Sequence, residues 1–276
     1  MSADAAELRG PALLFCPGDR PDRFDKAAAA ADAVILDLED AVAPAAKGAA
    51  REAVRAAALD PERTIVRVNA AGSGLQDADL AAVRESPFRL LMLAKAESPG
   101  ELDRLDEFRV IALCESARGV AAAEDLAAHP AVVGLSWGAE DLVASLGGRS
   151  SRDERGAYRD VARLARARVL IAAGAAGKAA FDAVHLDIAD EDGLAAEARD
   201  AAASGFAGSM CIHPRQVAVI RAAFAPAPEA VDWARRVLAA ADAAGSGVFV
   251  VDGRMVDEPL LRQARRILAA ESRTEI

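Results

Sequence analysis

Cysteine, histidine and aromatic residues are all scarce in this chain of 276 residues. The cysteines, Cys16, Cys114 and Cys211, are too few and too widely spaced for a disulfide framework or a cysteine-based zinc site. Each lies in an apolar run and reads as a small core residue. His129, His185 and His213 have no paired spacing, which argues against a histidine zinc site, and His213 reads as structural. Lysine is rare as well, with 4 among 33 basic residues. The net charge is −10 and no basic block occurs, so the footprint of a nucleic-acid binder is missing. A few arginines can still form a local positive pocket for an anionic ligand. No apolar run approaches the roughly 18 residues of a membrane span. The first residues lack a basic stretch before a long apolar one, so no secretory leader is expected and the chain reads as cytoplasmic. Neither a Walker A motif nor a G-x-S-x-G elbow is present.

What the chain does have is a series of short, nearly continuous apolar runs: ALLFC (12–16), AVILDLE (33–39), TIVRVN (64–69), RLLMLA (89–94), VIALCE (110–115), VVGLSW (132–137), AVHLD (183–187) and GSMCI (208–212). Continuous runs mark strands buried on both faces, which are usually parallel. Ala-, Arg- and Glu-rich segments with helical spacing separate them, among them DRFDKAAAAA, AAKGAAREAVRAAAL and SPGELDRLDEF. The long gap at 138–182 has room for two helices. Eight strands alternating with helices predict an α/β protein, a (β/α)8 TIM barrel over residues 1–224. A doubly wound open sheet is the alternative. A Pro-rich break, APAPEA, then leads into a C-terminal extension, 225–276, with a helix, the apolar run GVFVV, an Asp252-Gly253 turn and a last helix.

Catalytic groups of such barrels sit at the carboxyl ends of the strands. Those ends carry Asp37, Glu39 and Asp40 after the second run, Arg67 and Asn69 on the third, Lys95 after the fourth, Glu115 after the fifth and Asp141 after the sixth. Any single terminal Asp could be a helix cap. Arg67, however, sits between two valines inside a strand, where an unpaired charge is costly. Glu115 and Asp141 follow adjacent strands and could share one cation. A small set of hard oxygen ligands suits Mg²⁺. Lys95 reads as an ion-pair partner of Glu39 or Asp37, with a Schiff-base lysine as the lesser option. Phe15, Ser136, Trp137 and Met210 are candidates to shape a pocket.

The segments LLFCPGDRPDRFDKA, AVILDLEDAV, IVRVN, LMLAKAES, CES, GAEDL, GFAGSMCIHPRQ and DGRMVDEPLL occur in this order. Together they resemble the citrate lyase beta-subunit family of the HpcH/HpaI aldolase superfamily, in its free-standing, CoA-ester type. The resemblance implies a Mg²⁺-dependent carbon–carbon lyase that reversibly cleaves a small beta-hydroxyacyl-CoA to an acyl-CoA and a 2-keto acid. Malyl-, citramalyl- and 3-hydroxy-3-methylglutaryl-CoA are substrates of that type. By position it implies Glu115 and Asp141 as metal ligands and Arg67 as the arginine on the substrate's oxygens. Glu39 is implied as a catalytic carboxylate behind the metal waters, with Asp37 beside it and Lys95 in support. Gly138 and Ala139 would donate to the keto-acid carboxylate, and Phe15 and Lys26 would contact substrate. Asp257 would be an acidic catalytic residue supplied by a neighbouring protomer's arm, in a homo-oligomer expected to be a trimer. Phe15, Asp22 and Ser209 depart from the family pattern, which touches the thioester contacts more than the chemistry. A citryl-acyl-carrier-protein lyase subunit and a non-catalytic barrel binding keto acid or CoA are the alternatives. GVFVV has no vacancy in a closed sheet, so another protomer is expected to cover it.

Overall fold

The computed structural model describes residues 10–244 and 248–274. The N-terminal segment, and Gly245 and Gly247 at the ends of the predicted arm helix and strand, lie outside the described residues. Two compact units divide between Ile220 and Arg221. The first opens with β1 (Ala12–Pro17), α1 (Phe24–Ala30), β2 (Ala33–Asp37), α2 (Lys47–Ala56), β3 (Thr64–Val68), α3 (Gln76–Arg84) and β4 (Leu90–Leu93). Next come β5 (Arg109–Cys114), α4 (Ala117–Ala121), α5 (Ala123–Ala128), β6 (Val132–Trp137), α6 (Ala139–Ser145) and α7 (Asp160–Ala175). It ends with β7 (Ala179–Asp182), α8 (Glu191–Ser204), β8 (Gly208–Cys211) and α9 (Pro214–Phe224), whose last residues belong to the second unit.

Strands β1 to β8 pair in sequence order, all parallel, and β8 closes on β1. The result is the predicted TIM barrel, not an open sheet. Its interior is filled by Leu13, Ile35, Ile65, Met92, Ile111, Leu113, Phe181 and Met210. Period-2 alternation on these strands turns the next inward positions, at their carboxyl ends, towards the barrel mouth. There the register sets Asp37 beside Arg67, and Cys114 beside Trp137, so that Glu115 and Gly138 follow side by side.

Three local expectations are corrected. The seventh strand is AAFD (179–182), ahead of the predicted AVHLD, and His185 falls in the following loop. Alanines weaken the strand signal there. SPGELDRLDEF forms one 3₁₀ turn, Pro99–Glu101, in place of a helix. The Glu101 carboxylate is drawn into that turn, accepting the Glu97 N–H at 2.9 Å. Trp137 leaves the pocket: it stacks edge-on against Tyr158 and its indole donates to Asp182 at 2.7 Å, outside the interior cluster.

The second unit contains α10 (Pro228–Ala244), an antiparallel hairpin of β9 (Phe249–Val251) and β10 (Arg254–Val256), and α11 (Glu258–Thr274). Ala234, Val237, Val251, Val256, Leu261 and Ala264 form its own core. GVFVV therefore finds its strand partner within its own arm, contrary to expectation. The turn is Asp252-Gly253, both at positive φ (50° and 74°), the conformation that two-residue hairpins require. The hairpin nevertheless leaves Val248, Val250 and Met255 exposed.

Asp182 ties α7 to the barrel, accepting from Arg166 at Oδ1 (3.1 Å) and at Oδ2 (2.8 Å) as well as from the Trp137 indole. Asp182→Ala should cost about 3 kcal/mol, the low end for breaking a buried pair, because Arg166 keeps Asp200. Urea unfolding monitored by circular dichroism would measure the loss.

Candidate active site

Arg67 leaves β3 pointing into the mouth, and Asp37 on β2 meets it with both oxygens, at 2.7 Å to Nε and 2.6 Å to the terminal nitrogen. The other terminal nitrogen reaches Glu39 at 3.1 Å. Burial opposes the arginine's charge, but the hydrogen bonds and charge of Asp37 outweigh it, and the guanidinium pKa rises above its ordinary value. Phe15, from β1 on the far side of β2, lies under the guanidinium with 4.9 Å between Cζ and the ring centroid.

Glu39 follows β2 on a tight turn and is buried. Its second oxygen takes the Lys95 ammonium, so one carboxylate bridges two cations. Burial pushes the Glu39 pKa up, partly countered by Arg67 and Lys95. Lys95 also reaches Asp40 at 3.1 Å and Asp141 at 3.5 Å. Its backbone is left-handed, φ 49°, an uncommon conformation for a residue other than glycine. In this turn the Lys95 backbone N–H donates to Glu115 Oε1 at 3.1 Å, while its ammonium reaches Glu39. These contacts make Lys95 the ion-paired lysine of the main sequence reading. Its pKa lies above the usual range: burial lowers it, but the Glu39 hydrogen bond and the Glu115 charge prevail. A lysine poised for Schiff-base chemistry needs the opposite shift.

Glu115 directly follows β5, and 3% of it is exposed. Burial, and then the Asp141 charge, push its pKa up to about 8. Gly138 makes room for it, since a Cβ there would fall 2.9 Å from Glu115 Oε2. The two acids of GAED divide: Glu140 accepts from Ser151 at 2.5 Å, while Asp141 faces Lys95. Asp37, Glu39, Asp40, Glu115 and Asp141 thus outweigh Arg67 and Lys95 in charge. Among the described residues no group of three or more Asp, Glu, His or Cys forms a complete metal cage. A crowded carboxylate pair in a site with excess negative charge fits a hard divalent cation that completes its shell with water and substrate oxygens, and Glu115 and Asp141 could hold one.

The mouth therefore brings together Asp37, Glu39, Arg67, Lys95, Glu115, Gly138 and Asp141, with Phe15 beneath. Ala139 begins α6, and no side chain caps that helix at Gly138. Lys26 stands apart, exposed on α1. Asp257 belongs to the second unit, where its carboxylate caps α11 by accepting the Leu260 N–H at 3.3 Å. Sequence reasoning missed the buried polar residues behind Glu39, namely Lys47, Asp79 and their partner Arg51. Lys47 and Arg51, one helical turn apart in KGAAR, were the available signal.

The raised Glu115 pKa has a sign that can be tested. A carboxyl whose folded pKa lies above its ordinary 4.5 favours the fold in its protonated form. That contribution is complete below about 4.5 and is lost as pH rises through about 8. Metal-free protein should lose melting temperature across this window, and Glu115→Gln should flatten the slope. A parent profile that stays level in the metal-free state would contradict an uncompensated Glu115.

Among proteins of known sequence, the citrate lyase subunit beta-like protein of Mycobacterium tuberculosis is 55% identical over 268 residues, covering 96% of this chain and 98% of its own. The mitochondrial citramalyl-CoA lyase of Rattus norvegicus is 34% identical over 290 residues, covering 93% and 84% respectively. The crystal structure of CitE from M. tuberculosis, in complex with magnesium, acetoacetate and coenzyme A, matches with a TM-score of 0.90 at 55% identity, over 96% of this chain and 100% of that one. A family profile matches residues 12–214. On these matches and this barrel, the chain belongs to the HpcH/HpaI aldolase/citrate lyase family.

Proposed function

We propose that the protein is a Mg²⁺-dependent carbon–carbon lyase that reversibly cleaves a small beta-hydroxyacyl-CoA, of the malyl-, citramalyl- or 3-hydroxy-3-methylglutaryl-CoA type, to an acyl-CoA and a 2-keto acid. The observation that carries this reading is the buried Glu115, pushed up to about 8 beside Asp141 and within the field of Arg67. Magnesium in one solved relative and a CoA-ester lyase among the sequence relatives support it.

When bound at Glu115 and Asp141, Mg²⁺ supplies Lewis-acid charge to the substrate's hydroxyl and carboxylate oxygens. Asp37 takes one edge of Arg67, which pre-aims the guanidinium at the mouth. The N–H donors of Arg67 left over from Asp37 and Glu39 stabilise oxyanion charge as the C–C bond breaks. Glu39, made more basic by burial, accepts the hydroxyl proton in this reading. Backbone N–H groups at Gly138 and Ala139 orient the keto-acid carboxylate. Lys26, exposed on α1, contacts the thioester's anionic carrier in this reading. In the condensation direction, Asp257 from a neighbouring protomer takes the alpha proton of the acyl-CoA. Its cap uses Oδ1, which leaves the carboxylate's other oxygen for that role. The arm, residues 225–276, is in this reading a shared lid within a homotrimer, and its exposed Val248, Val250 and Met255 would pack on the adjacent copy.

The test is a mass-spectrometric screen of the purified chain with Mg²⁺, a panel of acyl-CoAs and a panel of 2-keto acids. Turnover of a free CoA ester is expected, which separates this function from carrier-dependent citryl cleavage. Glu115→Ala and excess EDTA should each abolish it, and full turnover in EDTA would remove the metal from the reaction. Binding of keto acid without any cleavage or condensation would favour the non-catalytic barrel.

The shared site has its own test. Asp257→Asn and Arg67→Ala chains, each inactive alone, should regain part of the activity when mixed, because some sites then draw both intact residues from different chains. Verified subunit exchange without recovery would leave Asp257 as a helix cap.

A further inference from the structure

Glu39 sits on a turn in which successive peptide groups are held from both sides. The N–H groups of Glu39 and Ala41 donate to the Asp37 carboxylate at 2.8 and 3.0 Å. The carbonyls of Leu38 and Glu39 both accept from the Lys47 ammonium, each at 2.7 Å. The ammonium's third donor goes to Asn69 Oδ1 at 3.2 Å. Asn69 in turn donates to Leu38 O (2.8 Å) and to Asp79 (2.6 Å), and Arg51 closes the chain on Asp79 at 2.8 Å.

Lys47 is 7% exposed and Asp79 0%. Burying an ammonium is costly unless its donors are satisfied, and here its three hydrogen bonds match its three donors. An apolar side chain would fill the same space without the desolvation cost. What it would not do is fix two consecutive carbonyls, and those carbonyls flank the Cα from which the Glu39 side chain reaches Arg67 and Lys95.

On the function proposed above, we infer that Lys47 is a positioning residue for the reaction. Its ammonium grips the Leu38 and Glu39 carbonyls and so holds the Glu39 carboxylate between Arg67 and Lys95. Lys47 contacts neither of those cations. It acts through Glu39, and through it sets which edge of Arg67 is free for substrate.

The test uses full-length Lys47→Met, which removes every donor, and Lys47→Gln, which keeps a neutral one. Phe88→Leu, a buried change at the other end of the barrel, is the control for lost stability alone. Lys47→Met should lower kcat by about 10- to 100-fold, the range for groups that orient site ligands, with KM for the thioester nearly unchanged. Lys47→Gln should fall less, and Phe88→Leu should melt lower with kcat retained. A crystal structure of Lys47→Met should have Glu39 withdrawn from Arg67. Retained kcat in a less stable Lys47→Met, or Glu39 unmoved in its crystal structure, would overturn the inference. Should Lys47→Met fail to fold, Lys47→Gln carries the same measurements. A wild-type protein that turns over no thioester would overturn the function instead, and the crystal structure alone would then decide the positioning role.

Discussion

The bidentate pair between Asp37 and Arg67 is the contact on which the rest of the mouth depends. Neither residue could be buried alone, because an unpaired charge at that depth costs several kcal/mol. Together they are neutral and occupy adjacent register positions on β2 and β3. The pairing leaves the second terminal nitrogen of Arg67 for Glu39, and Glu39 then draws in Lys95. Lys95 in turn faces Asp141 and, through its backbone, Glu115. One ion pair thus orders a chain of alternating charges around the rim.

That chain does not balance. Its carboxylates outnumber its bases, and the imbalance falls on Glu115, which burial and Asp141 both drive towards protonation. A protein selected for stability alone would replace such a carboxylate with an apolar side chain. Retaining it, and keeping Gly138 without a Cβ to make space, gathers carboxylates where the proposed function needs a divalent cation to meet an anionic substrate. Arg67 and Lys95 prevent that concentration from repelling the substrate outright. The strained backbone at Lys95 belongs to the same compromise, because one residue supplies a donor to Glu115 and a cation to Glu39.

Much of this was legible in the sequence, because buried parallel strands are written as apolar runs and the mouth is written where those runs end. Asp37, Arg67, Glu115 and Asp141 all announced themselves as charges at such ends. β7 did not, since AAFD is too rich in alanine to read as a strand and the nearby AVHLD imitates one. The β10 strand was hidden for a related reason: three residues, two of them exposed, carry no periodic signal. Lys47 and Arg51 were hidden differently. On a helix rich in alanine and arginine, basic residues read as solvent-facing, and only the fold reveals that this pair turns inward to Asn69 and Asp79.

In the proposed function Asp257 has two demands to satisfy, and they do not conflict. Capping α11 requires a single acceptor oxygen at a fixed place beside the first turn, and Oδ1 provides it. Proton abstraction requires a carboxylate whose orientation is fixed before substrate arrives, since freezing a mobile side chain during the reaction would add to the barrier. The cap supplies that orientation. A helix start is therefore a sound place to mount the acid that the proposed function assigns to another chain's site: the arm's separate core of Val237, Val251 and Val256 fixes the helix start, and with it the carboxylate, within its own unit. The capping geometry is thus a precondition of the proposed catalytic role rather than a competing explanation for it.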